Sequence, residues 1–158
     1  MFAYVGCYTT PERQGRGNGI NVYRVDRGGA FGHVQTLKGL ENPSFLAINK
    51  TGTRLYSVHG GRSEATSYTI DKDTGRIAVL NRQPTGGYNV IHLDFDAAEK
   101  FLVVANYGTD STAVLPIASD GSLMPYSTLT TVKGTPGPHR REQNNIRPHH
   151  NQIGRAHV

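Results

Sequence analysis

Apolar residues along this chain come in short runs at strand spacing. Ile20-Asn21-Val22-Tyr23-Arg24-Val25 alternates apolar with polar positions, the period of a half-buried strand. Phe101-Leu102-Val103-Val104-Ala105 is a continuous run of good β-formers, as expected of a strand covered on both faces. No stretch sustains apolar residues at i, i+3, i+4 and i+7, so the pattern predicts an all-β chain.

The pattern also repeats. Leu46-Ala47-Ile48-Asn49 matches Leu93-Asp94-Phe95-Asp96 at an offset of 47. At the same offset Leu55-Tyr56-Ser57-Val58-His59 matches Leu102-Val103-Val104-Ala105-Asn106, and Tyr68-Thr69-Ile70 matches Leu115-Pro116-Ile117. Turns keep step, Thr74-Gly75 in one copy and Asp120-Gly121 in the next, and a partial copy runs from Ala3-Tyr4-Val5 through Val22–Asp26 to Gly28-Gly29. Four short strands per unit, separated by Gly, Asn, Asp or Pro clusters, predict β-propeller blades of four antiparallel strands.

At 47 residues per unit, 158 residues make about 3.4 blades, below the four to eight that close a ring. The first unit opens on the Tyr4 strand and has no counterpart of the Leu46 or Leu93 strand before it. In a closed ring that innermost strand would come from the far C-terminus. The expected organisation is a truncated propeller over residues 1–152. It comprises an incomplete first blade, 2–40, a second blade, 41–86, a third, 87–134, and the start of a fourth, 135–152. An irregular β-sandwich with accidental similarity between two segments is the alternative.

Composition narrows the partners. No apolar run approaches the roughly 18 residues of a membrane span. Met1–Tyr8 lacks the basic and long apolar regions of a secretory signal, and Cys7 is the lone cysteine, so the expected location is the cytoplasm. The net charge of +5 is concentrated: residues 133–158 hold five basic residues against Glu142, leaving a net +1 for residues 1–132. That tail contains no aromatic residue, whereas nucleic-acid footprints interleave the two. Neither nucleic acid nor membrane is an expected partner.

Candidate chemistry follows the repeat. An offset of 58 places His150 under His92, so both stand at matching positions of adjacent innermost strands, facing a common channel. Histidine serves as acid or base near neutral pH; filling the channel is the bland alternative. Pro138-His139-Arg140-Arg141-Glu142, followed by Pro148-His149-His150, is the most polar cluster. Its arginines suit bidentate recognition of phosphate or carboxylate, and Glu142 could activate water. Asn106 and Tyr107 end an apolar strand, aimed at a site or a turn.

Other motifs are weaker. Gln14–Gly19 is Gly-rich but precedes a period-2 strand, so it reads as a loop rather than a phosphate cradle. Asp71-Lys72-Asp73-Thr74-Gly75 lacks the later carboxylate of a calcium loop and reads as a hairpin turn. Adjacent histidines such as His149 and His150 point to opposite faces of a strand, so no metal site is expected. There is no Gly-x-Ser-x-Gly elbow for a serine esterase.

Several separated motifs arrive in the order of a known family. They are Asn42–Ile48, Leu55–Gly60, Val103–Gly108, Asp120–Leu123, Pro136–Arg140 and Pro148–His150. Over residues 2–152 the chain resembles the β-propeller lactonases, the propeller-type 6-phosphogluconolactonases related to fungal carboxy-muconate cyclases. The resemblance implies a seven-bladed ring in the complete protein, monomeric and without a cofactor. It also implies hydrolysis of 6-phospho-glucono-1,5-lactone, an anionic sugar lactone, to 6-phosphogluconate in the pentose phosphate route. His92, His150 or Glu142 would be the base, with Arg140, Arg141, Asn106, Tyr107 and His149 binding substrate. A muconate-type cycloisomerase and a non-enzymatic binding platform are the alternatives on the same fold. Many relatives end the second-blade strand in Asn-Glu, where this chain has His59-Gly60 and so no carboxylate. Ile153–Val158 resembles a translated sequencing-library adapter and is expected to be a non-native tail. The expectation for the fragment itself is an inactive, poorly stable protein.

Overall fold

A computed structural model describes residues 1–138 and 144–154 of the chain. Among the described residues, eleven strands form three antiparallel sheets in chain order. The first contains β1 (Phe2–Gly6), β2 (Ile20–Val25) and β3 (Phe31–Leu37). The second contains β4 (Pro43–Ile48), β5 (Arg54–His59), β6 (Glu64–Ile70) and β7 (Ile77–Pro84). The third contains β8 (Val90–Phe95), β9 (Phe101–Asn106), β10 (Ser111–Pro116) and β11 (Thr128–Thr131). Helix among the described residues is limited to two single turns, Pro11–Arg13 and Tyr107–Thr109. The architecture is a partial propeller.

Sheet packing explains the apolar patterns. One core lies between the first and second sheets, where Ile20 and Val22 meet Leu55, Tyr68 and Ile77. A second lies between the second and third sheets, where Tyr56, Val58 and Ala65 meet Leu93, Leu102 and Val104. Successive side chains of a strand point to opposite faces, so Leu55 serves one core and Tyr56 the other. β5 is therefore buried almost throughout, while β11, at the outer edge, is exposed along its length.

Three polar devices recur between neighbouring sheets. Tyr4 Oη donates to Gly75 O at 3.0 Å, and Tyr56 Oη donates to Gly121 O at 2.9 Å. Gln35 exchanges two amide bonds with the backbone of Ile77, and Asn81 does the same with Leu123. Asn42 and Asn89 sit just before the inner strands β4 and β8, both with left-handed φ; Asn42 accepts the Thr9 and Thr10 N–H groups and Asn89 the Gly61 N–H, each from the preceding sheet. Within sheets, Asn49 and Asp96 close equivalent hairpins by accepting the N–H groups that open β5 and β9. Asp71 likewise caps the β6–β7 turn, accepting from the N–H groups of Asp73 and Thr74.

The chain after the third sheet returns to the inner edge. Arg147 adopts left-handed φ, as Asn42 and Asn89 do, and its N–H donates to Asp110 Oδ1 at 2.8 Å. The following residues lie against β8, with Asn151 N–H donating to His92 Nδ1 at 3.2 Å and Ile153 N–H to Asp94 Oδ2 at 3.3 Å.

Candidate active site

The inner-strand positions come together as rings. Phe45, His92 and His150 hold matching places in successive inner segments, with centroids 4.4 Å apart for Phe45–His92 and 3.9 Å for His92–His150. His92 is buried and His150 exposed. Burial, then the neighbouring His150, holds the His92 imidazole below its usual titration range. Because Nδ1 of His92 accepts the Asn151 N–H, the neutral ring carries its proton on Nε2. His92 is thus already engaged as an acceptor, whereas His150 offers an accessible ring beside it.

A second group opens to solvent. Tyr8, Arg13, Ser44, Asn89, Ile91, Tyr107 and His149 line an open cleft of about 370 Å³. These residues come from the β1–β2 connection, the starts of β4 and β8, the corner after β9 and the segment after Arg147. They converge because every second-to-third-strand connection and every inner-strand entrance lies at the same mouth of the stack. Tyr107 meets His149 edge to face at 5.6 Å. Arg147 lies 5.0 Å from the Tyr107 ring centroid, and its Nη1 donates to Tyr107 Oη at 2.5 Å. With that oxygen accepting from Arg147, the phenolic proton remains available to donate into the cleft.

The sequence candidates therefore separate. Tyr107 and His149 line the cleft, while His92 and His150 form the neighbouring ring pair. Asn106 is fully buried; its Nδ2 donates to Thr85 O at 3.2 Å and to Ser111 Oγ at 3.1 Å, so its side chain braces the corner rather than facing the cleft. Arg140, Arg141 and Glu142 lie outside the described residues. Among the described residues no cluster of three or more His, Cys, Asp or Glu could hold a metal ion, and no helix is long and apolar enough to cross a membrane.

Sequence inspection missed Tyr8, Arg13, Asn89 and Arg147. The signal was present in the repeat: Tyr8, Gly60 and Tyr107 occupy one position of three successive units, and Asn42, Asn89 and Arg147 occupy another. Arg13 had no such marker, because the β1–β2 connection is longer than its counterparts.

Comparison with known proteins agrees with this architecture. A family model described as lactonase, seven-bladed β-propeller, matches residues 2–157. A curated 6-phosphogluconolactonase from Bacillus subtilis (strain 168) is 32% identical over 154 residues, covering 96% of this chain. This chain spans 42% of that protein and 38% of a second curated 6-phosphogluconolactonase, from Formosa agariphila. The crystal structure of a candidate 6-phosphogluconolactonase from Bacteroides fragilis matches with a TM-score of 0.81 at 31% identity, over 90% of this chain and 39% of that one. The periplasmic gluconolactonase PpgL of Pseudomonas aeruginosa matches with a TM-score of 0.71 at 30% identity, over 80% of this chain and 37% of that one.

Proposed function

The chain belongs to the seven-bladed β-propeller lactonase family, and from that premise we propose that it supplies the substrate cleft of a hydrolase opening 6-phospho-glucono-1,5-lactone to 6-phosphogluconate. The observation that carries this reading is the cleft itself, where Tyr107, polarised by Arg147, stands beside His149, whose chain neighbour His150 pairs with His92.

The chemistry is water addition to the lactone carbonyl. A base removes the water proton as the oxygen bonds to the carbonyl carbon. The resulting oxyanion needs a preorganised donor; it then collapses, the ring C–O bond breaks and the leaving hydroxyl takes a proton. His150 is the base best supported by geometry, because Nδ1 of His92 is engaged by Asn151. Glu142 is the other candidate base. The Tyr107 hydroxyl is the donor toward the oxyanion, in place of the buried Asn106. His149 positions the lactone, and Arg140 and Arg141 are proposed to add positive charge.

Residues 1–152 are proposed as the opening blades of a seven-bladed, monomeric ring acting in the pentose phosphate route. The single cysteine and a phosphorylated metabolite fit a cytoplasmic setting, which cell fractionation tests. The decisive experiment joins this chain in frame to the blades that complete the ring and follows ring-opening of 6-phospho-glucono-1,5-lactone. The expected result is acceleration over the spontaneous rate, lowered about a hundredfold or more by His150→Gln. No acceleration by the complete ring overturns the assignment.

A further inference from the structure

One cation in the cleft has no part in the steps above. Arg13 ends the single helical turn of the β1–β2 connection. Its Nη2 donates to Asn89 Oδ1 at 2.5 Å, and its guanidinium carbon lies 5.6 Å from the Tyr8 ring centroid. Both holders are themselves held. Asn89 keeps a left-handed φ of 52°, and the same Oδ1 accepts the Gly61 N–H at 2.7 Å. The Tyr8 ring uses space that Gly60 leaves open, since a Cβ at Gly60 would stand 2.8 Å from Tyr8 Cε1.

Neither holder carries charge. The ion pairs among the described residues are Arg62–Glu41 and Arg82–Glu64, and neither includes Arg13. A guanidinium oriented by neutral groups in an open cleft keeps its full charge and spare N–H donors for an anionic ligand. It stands on the first sheet's side of the cleft, with Tyr107 and His149 on the third sheet's side.

We propose that Arg13 binds the phosphate of the sugar lactone and so sets the preference for phosphorylated over unphosphorylated substrate. The assignment rests on the lactonase reading, which places the reacting carbonyl at the Tyr107 side. Asn89 is then a positioning residue, aiming the guanidinium without neutralising it.

The test is binding of 6-phosphogluconate and of gluconate to the chain, measured by calorimetry with amide NMR spectra of each variant. The unaltered protein should prefer 6-phosphogluconate. Arg13→Gln should weaken 6-phosphogluconate about tenfold or more and leave gluconate unchanged. Asn89→Asp keeps the arginine but pairs it with a carboxylate, and should have the same selective effect; Arg13→Lys should restore part of the preference. The proposal is overturned if the unaltered protein binds both compounds equally or neither. Equal weakening of both by Arg13→Gln also overturns it, because a collapsed cleft would do that. Arg13-dependent binding without hydrolysis by the complete ring would overturn the lactonase reading alone.

Discussion

The corner after β5 and the corner after β9 occupy one place in the repeat and are built from different chemistry. In the first, His59 is fully buried and fully bonded. Its Nδ1 donates to Glu41 O at 2.6 Å, and its Nε2 meets the hydroxyls of Thr66 at 2.8 Å and Ser57 at 3.1 Å. In the second, Asn106 spends its Nδ2 on Thr85 and Ser111, while its Oδ1 finds no partner among the described residues. One residue further on, Gly60 leaves room for Tyr8 of the preceding sheet, whereas Tyr107 supplies its own ring. Each route delivers a tyrosine carrying an arginine to the same cleft. Backbone ladders preserve the repeat, and side chains are free to reach the same arrangement from different blades.

His59→Ala should be the most damaging change at these corners. It opens a cavity, removes one partner from each of two buried hydroxyls and leaves the Glu41 carbonyl without its imidazole donor, costing about 3 kcal/mol in denaturant unfolding. A loss comparable to that of an exposed substitution would mean the network adds little. The same residue predicts a pH dependence. Burial holds folded His59 below the ordinary value of 6.5, so the unfolded chain binds the proton first. Its contribution is fully present above 6.5 and is lost as pH falls through the lower folded value. Urea midpoints should therefore drop on acidification below 6.5, less steeply in the variant. His92, shifted in the same direction, contributes to the remaining slope, and the lowered carboxyls of Glu12, Asp71, Asp96 and Asp120 add to it at more acid pH.

Asn106→Ala should cost less, about 1–2 kcal/mol, because two hydrogen bonds are lost rather than a whole network. Equal effects at His59 and Asn106 would remove the distinction between the corners. Gly60→Ala should be the mildest for stability, about 1 kcal/mol, because the Tyr8 ring can swing away from the new methyl. Its signature is instead an altered Tyr8 environment in aromatic NMR and weaker 6-phosphogluconate binding. An unchanged Tyr8 resonance would show that Gly60 does not make room for the ring.

Much of the fold was legible because strand periodicity and the offset of 47 are local properties. Strand alternation at Ile20–Val25 and the continuous run at Phe101–Ala105 both follow from which faces a sheet covers. Matching His92 with His150 required only adding the longer loop to the repeat. The cleft was half legible: Tyr107 and His149 stand in polar motifs and Tyr8 holds a repeat position, but Arg13 lies in the extra length of the β1–β2 connection, which the repeat does not match. Asn106 looked like a site residue for the same reason that His59 looked like a departure. A polar group at a strand end does not announce whether it faces solvent or braces a turn.

The sequence by itself determined the all-β class, the four-strand unit and the positions of the inner strands, because alternation and turn residues act over a few neighbours. Tertiary structure alone decided which side chains share a cavity. Arg13 and Asn89, for instance, are 76 residues apart and touch only because the connections of the stacked sheets meet at one mouth. It also decided that His92 is an engaged acceptor, since the N–H that occupies it comes from Asn151, 59 residues on. Those contacts depend on the stacking of whole sheets, which no local pattern records.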